Sequence, residues 1–424
     1  MSRYKEIIER INYGLFLVVV GLLPFPQIAL RFASILWIAT WILEGRWLKK
    51  PHSPFAFRHS PFAIPFILFG IWYGWKILSG LWATDYTAWA WQIERYLSFG
   101  LMVPIGLWGV NSRYSWRTVG KVLAISCAVA IPLYTILMTL FYHHPEWVQT
   151  LGLEAEWDYY AHRSWYICVS ENISVFKHRL FLCSIEMMGM VMALQVWRDK
   201  KWLCALLLPV MACAIPLTGS RQSILTLALL IAIGILYLIP RTYRWRYGVG
   251  ILLIGLLIGG SVLRLHPRMQ YFDYQDLFEL RDVNQEHDIR LNIWGTALQH
   301  PEDYIAYGLG AGQSTNYLVE RYRQMGFENY VFKHYHPHNQ YLEELMEIGI
   351  GGMLFFILIW LSIPLCAKNK GRLTAICFTT LFVLNMCTDC MFGMFCGIAL
   401  WAVGMLLIFL QSDAEGEQQS ARNT

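Results

Sequence analysis

Apolar runs about as long as a bilayer is thick recur down this chain, and they restrict its fold more than any other feature. A helix needs roughly 17–25 mostly apolar residues to cross the hydrocarbon core. Each backbone amide there must find its partner within the protein, so such runs fold as helices. Candidate spans lie at 13–30, 31–45, 61–83, 97–110, 118–142, 179–197, 202–218, 221–240, 247–264, 341–366, 372–388 and 390–411. Of the 424 residues 56% are hydrophobic and only 15% charged, against about 25% charged in a soluble domain. The expected fold class is an all-α polytopic membrane protein with about 12 transmembrane helices.

The basic residues give the expected topology. Lys and Arg collect in alternate connections: Arg3/Lys5/Arg10, Arg46/Lys49/Lys50/Arg58, Arg113/Arg117/Lys121, Arg198/Lys200/Lys201, Arg241/Arg244/Arg246 and Lys368/Lys370/Arg372. The positive-inside rule places these in the cytoplasm, with both termini. Residues 1–264 then hold the first nine helices, with an outer loop at about 143–178. A large outer loop with amphipathic helices covers 265–340, the last three helices cover 341–411, and 412–424 form a polar cytoplasmic tail. The first apolar segment has no small-residue cleavage site and contains Pro24 and Pro26, so it reads as a retained span.

Several function classes drop out. The net charge of +5 is accounted for by the cytoplasmic anchors and does not point to nucleic acid. No Walker-type loop occurs, and no cysteine or histidine cluster has zinc-site spacing, so neither metal nor cofactor is expected. Most of the ten cysteines fall inside spans, where they act as small apolar residues. Cys387-Thr-Asp-Cys390 reads as a structural disulfide in a tight outer turn, or as a pair without a role.

What remains is a set of polar groups at the outer ends of spans. His336-Pro-His338-Asn339 leads directly into a long apolar segment. From His338, Leu342, Leu345, Gly349 and Gly352 follow at helical phase, which would put a titratable ring on a packed helix face at the membrane boundary. Arg221, in Gly219-Ser220-Arg221-Gln222-Ser223, lies between two apolar spans, where an arginine needs an anionic partner or must snorkel to the interface. Ser220 and Ser223 could cap the helix that follows. Arg290 and Trp294 flank a stripe of Ile289, Ile293 and Ala297, as in a helix lying on a membrane surface; alone, Arg290 also fits a solvated pair with Glu286 or Asp288. Lys177-His178-Arg179 places three adjacent basic residues outside, where a diphosphate or plain interfacial anchoring would explain them. Gly308-Leu-Gly310-Ala-Gly312 reads as a series of turns.

Together these groups could displace a diphosphate. Guanidinium groups bind phosphate oxygens bidentately and stabilise charge on a leaving group. A neutral imidazole can take a proton from an attacking hydroxyl. A helix starting at Asn339 would point its positive end at the reaction.

In these motifs the chain resembles the O-antigen ligase and O-antigen polymerase superfamily. The resemblance rests on His338-Asn339, nine residues, Gly349, two residues, Gly352, and on the order of Gly-Ser-Arg, Arg-x-x-x-Trp and His-Asn. It spans roughly residues 170–365. It implies a GT-C-like membrane glycosyltransferase that takes glycan from undecaprenyl diphosphate at the periplasmic face of the inner membrane, inverts the anomeric centre and needs no metal. By position, His338 would be the base, and Arg221, Arg290 and Arg179 would hold the diphosphate. His336, Asn339, Lys177, His178 and Trp294 would support them. The compact late loop favours a ligase, with lipid A–core oligosaccharide as acceptor and membrane lipids around it. Polymerase and protein O-oligosaccharyltransferase share the motifs, and a transporter or flippase of lipid-linked glycans would use the same arginines for binding.

Overall fold

In the computed structural model, residues 2–45, 61–153, 157, 164–265 and 289–413 are described. Expectations for Arg46–Arg58, Glu286, Asp288 and the tail beyond residue 413 fall outside these residues. The described chain is helical, in order α1 (Ser2–Leu22), α2 (Gln27–Leu43), α3 (Ala63–Leu78), α4 (Tyr86–Arg95), α5 (Leu97–Trp108), α6 (Trp116–His143) and α7 (Glu146–Thr150). Then come α8 (Trp165–Asn172), α9 (Arg179–Val196), α10 (Lys201–Ala212), α11 (Ala214–Thr218), α12 (Arg221–Leu238) and α13 (Arg241–Leu265). Last are α14 (Ile289–Leu298), α15 (Ser314–Gln324), α16 (Glu328–Lys333), α17 (Gln340–Cys366), α18 (Asn369–Met386) and α19 (Phe395–Asp413). Among the described residues, 6 helical stretches are long and apolar enough to cross a membrane, and four shorter apolar helices accompany them. The molecule is an all-α polytopic membrane protein.

Three expected boundaries move for local reasons. The first helix starts at Ser2, not near residue 13, because its polar first turns are held by pairs such as Arg10–Glu6 at 2.7 Å. It ends at Leu22 because Pro24 and Pro26 cannot continue the amide ladder, and α2 resumes at Gln27. The expected span 202–218 is interrupted at Cys213, between α10 and α11. The last helix starts at Phe395, since 387–394 form a turn that proves central to the site.

The bundle is held by close aromatic packing. Phe69, Trp72, Phe99, Trp360, Phe392 and Trp401 are buried and each meets at least two of the others, with Phe99 and Trp401 ring centres 4.4 Å apart. Where lipid is as apolar as the helix surfaces, such packing and polar links between helices replace the hydrophobic drive.

The strongest polar link lies on α17. Lys76 of α3 is fully buried between Glu347, at 2.6 Å, and Glu344, at 3.0 Å. Trp72 donates to the same Glu344 oxygen at 2.9 Å. The other Glu347 oxygen accepts from the Gly312 amide at 2.9 Å and the Ser314 hydroxyl at 3.2 Å. Two residues later α17 breaks, because Gly349 takes φ 70°, ψ −177°. The backbone groups freed by the break are satisfied by the glycine segment of the late loop. Leu309 N–H donates to Met346 O (2.8 Å), Gly310 N–H to Glu347 O (2.9 Å), and Ile350 N–H to Ile305 O (2.8 Å). Non-helical backbone at membrane depth requires this kind of internal pairing. Gly308 has φ 79°, and a Cβ there would stand 2.3 Å from the Glu347 backbone, so the close approach needs glycine. The expected glycine turns are therefore present, and they serve as the partner of a broken helix.

Removing one member of a buried ion pair strands the other's charge, which costs about 3–5 kcal/mol. Lys76→Met is accordingly expected to lower thermal stability in detergent or nanodiscs sharply. A variant melting within a degree or two of wild type would contradict the clamp.

Candidate active site at the mouth of α17

Asn339 sets the start of α17. Its side-chain oxygen accepts from the Tyr341 and Leu342 amides at 3.0 and 3.1 Å, so the helix is capped there as expected. The other half of the amide donates to Cys387 O at 3.1 Å. That bond brings the turn between α18 and α19 over the mouth of α17. Gln340 adds a second link, its carbonyl accepting from Phe392 N–H at 3.0 Å.

The turn delivers Asp389, which has little exposure. One of its oxygens lies 3.4 Å from His338 Nδ1 and accepts the Cys390 amide at 2.9 Å; the other lies 3.9 Å from His178 Nε2. The His338 contact is electrostatic and longer than a well-aligned hydrogen bond. The His336 and His338 rings lie side by side, centres 3.9 Å apart. Trp294 of α14 donates its indole N–H to Pro337 O at 2.9 Å, fixing the peptide between the two histidines. His338 itself is not on the helix: it has φ 48° and precedes the cap. The helical-phase reading from His338 through Gly349 to Gly352 therefore fails at both ends, at the left-handed turn and at the Gly349 break.

Other expected residues divide. Arg179 opens α9 directly after His178, its guanidinium reaching Ser170 O at 3.4 Å. Arg290 and Arg179 both act electrostatically on His178, which places them at this cluster. Arg221 opens α12, and its neighbour Gln222 donates to Leu384 O at 2.9 Å, tying it to the last turn of α18 ahead of Asp389. Ser220 does not cap α12; its hydroxyl pairs with Ser223 at 2.7 Å. Lys177 is buried, and its ammonium donates to Phe25 O at 2.9 Å, which commits it to holding the turn between α1 and α2. The apolar stripe of α14 divides, with Ile289 exposed and the other two residues turned inward. Ile293 and Ala297 pack into the loop's own core with Tyr304, Leu318, Tyr322 and Tyr330. Cys387 and Cys390 are both free thiols, which rules out the disulfide among the two readings of this pair, and the turn is held by Asn339 and Gln340.

Sequence reasoning missed two charged groups. Asp389 was hidden inside Cys387-Thr-Asp-Cys390, where cysteine spacing drew the attention; a lone acid between two apolar helices was the available signal. Arg95, at the end of α4, acts electrostatically on His336 and carries its guanidinium 3.9 Å above the Trp91 ring.

The electrostatics follow the burial. Burial pushes His336 down to about 4, with the neighbouring His338 adding to the effect. His178 is also lowered, first by burial, with Asp389 opposing and Arg179, His338 and Arg290 adding. Burial alone would raise the Asp389 carboxyl, but His338, His178 and His336 hold it well below the usual carboxylate range. Ligand atoms of His336, His338 and Asp389 lie within 4.8 Å of one another, a spacing a divalent cation could use. Two of their acceptors, His336 Nδ1 and one Asp389 oxygen, already take backbone N–H groups.

These shifts set a direction for stability. Between pH 6.5 and 4 an unfolded chain binds a proton at His336 that the folded chain refuses, and His178 acts in the same sense. Stability therefore falls with pH across that window, by about 1–2 kcal/mol at pH 5 from His336. Asp389 adds a further loss only below its ordinary range. The thermal midpoint is expected to drop from pH 7 to pH 5, and His336→Phe is expected to flatten the slope. A midpoint that rises on acidification would contradict the assignment.

Residues 205–357, from α10 to the first half of α17, match the family model described as O-antigen ligase. The match contains Arg221, Arg290, Trp294, His336, His338 and Asn339, so this part of the chain is similar to the superfamily that its motifs resemble. No curated protein matches the chain.

Proposed function

We propose that this chain, of which residues 205–357 match an O-antigen ligase family model, transfers a glycan from undecaprenyl diphosphate to lipid A–core oligosaccharide at the periplasmic face of the inner membrane. The observation that carries this reading is the His338–Asp389 pair at the capped mouth of α17, with Arg179 and Arg290 at the same cluster. The donor enters from the bilayer, its diphosphate held by Arg290, Arg179 and Arg221. The acceptor hydroxyl oxygen attacks the anomeric carbon from the face opposite the diphosphate. The bond to the phosphate oxygen breaks, undecaprenyl diphosphate leaves with the electron pair, and the configuration inverts.

The hydroxyl proton passes to His338. An anion at Nδ1 favours the tautomer with its proton there, leaving the Nε2 lone pair to act as base. Asp389 then steadies the imidazolium. The guanidinium groups stabilise the charge that grows on the diphosphate, and water-poor surroundings strengthen them. Both termini lie in the cytoplasm in this arrangement, as the basic loops require. An enzyme explains the gathering of a base, an acid and arginines at one end of the bundle; a transporter would need its binding groups near the midplane.

The test is transfer by purified protein in proteoliposomes holding an undecaprenyl-diphosphate-linked glycan and lipid A–core. Loss of a general base lowers the rate about 10²–10⁴-fold, so His338→Ala is expected to fall in that range. Arg290→Lys is expected to lose about 10²-fold, because a point charge does not replace bidentate binding. EDTA is expected to leave the wild-type rate unchanged. His338→Ala at wild-type rate, or loss of activity on chelation, would overturn the mechanism.

A further inference from the structure

His338 is held in a backbone conformation that a residue with a side chain rarely adopts, with φ 48°. Strain of this kind persists only where neighbours impose it. One such neighbour is visible: the His338 backbone N–H donates to His336 Nδ1 at 3.2 Å. The bond closes a small ring across Pro337, whose carbonyl is already held by Trp294 and whose own φ is fixed by its pyrrolidine. The imidazole of His336 also packs against that of His338 at 3.9 Å. The left-handed turn and the packed ring together decide where the His338 side chain points. Asp389 also approaches that ring, its carboxylate 3.4 Å from His338 Nδ1.

We infer that His336 is a positioning residue for the transfer, acting through Nδ1 as the acceptor that locks the left-handed turn of His338. This rests on the reading of His338 as the base. An Nδ1 that accepts an N–H must keep its lone pair, so neutral His336 carries its proton on Nε2. A protonated ring would have no lone pair for the bond and would set a second positive charge beside the base. The groups that bear on His336 are His338, Asp389, Arg95 and His178, and burial keeps the ring neutral at working pH.

The test separates Nδ1 from the rest of the ring. An Asn side chain places its carbonyl oxygen near the position of Nδ1, whereas Gln places its polar end near Nε2. His336→Ala, His336→Asn and His336→Gln are compared with wild type and His338→Ala in the proteoliposome assay, at matched amounts of folded protein. Misplacing a reacting group by about 1 Å costs up to about 10²-fold, so His336→Ala is expected to lose about 10- to 100-fold in kcat, with KM for the lipid-linked donor within about twofold. His336→Asn is expected to recover most of the loss and His336→Gln little of it.

Full kcat in His336→Ala would overturn the inference, as would better rescue by Gln than by Asn or a loss confined to KM. Failure of wild type itself to transfer glycan would instead strike the underlying reading. The pH profile gives an independent readout. The acid limb of kcat in His336→Asn is expected to lose any component near pH 4. An unchanged component near pH 4 would exclude His336 as its source.

Discussion

Everything at the functional end of this molecule hangs on one buried cation. Lys76 reaches across from α3 to hold Glu344 and Glu347 on α17, and Glu347 in turn takes the amide of Gly312 and the hydroxyl of Ser314. Three elements far apart in sequence therefore meet at one ammonium group: an early span, the late span behind the histidines, and the long loop between α13 and α17. Such a cluster is costly to desolvate and tolerates few alternatives. The reward is a unique placement of the loop against the helix break at Gly349, where main-chain groups of both are satisfied.

The site inherits its geometry from that placement. The loop packs Ile293, Tyr304 and Tyr322 around Leu342 and Met346 of α17, so α14, with Arg290 and Trp294, is fixed relative to the helix mouth. Trp294 then holds Pro337, and Asn339 holds both its own helix and the turn that carries Asp389. Asn385, bonded to Ser184 at 2.9 Å, draws the end of α18 onto α9, where Arg179 begins. The candidate base is thus surrounded by short side-chain bonds to backbone. This is the kind of preorganisation that lets charged groups act without rearranging during reaction.

Much of this was legible in the residues. Bilayer-length apolar runs dictate helices whatever else happens, and each expected span is mainly helical, although 13–30 and 202–218 are each divided between two helices. The His-Asn pair at a span entrance announced both the cap and the candidate base. The failures share a cause: they depend on contacts between segments remote in sequence. Asp389 has meaning only once Asn339 pulls its turn over α17. Lys177 looked like one of three exterior cations until a carbonyl of the α1–α2 turn claimed it. The break at Gly349 reads as helical phase in one dimension, and only the loop that fills it explains why a glycine stands there. Lys76 and its carboxylates gave no local pattern at all, because a buried charge is defined by its partners.

In the proposed function, His338 drives attachment of a carrier-borne glycan to lipid A–core. The most direct measurement is the lipopolysaccharide profile of a host that lacks this protein, complemented with wild type or His338→Ala at equal membrane levels. Wild type should restore the long-chain ladder. His338→Ala should leave bare lipid A–core, with finished polymer still on undecaprenyl diphosphate. A full ladder from His338→Ala would contradict the claim, and core capped with a single repeat in the absence of the protein would assign the chain to polymerisation.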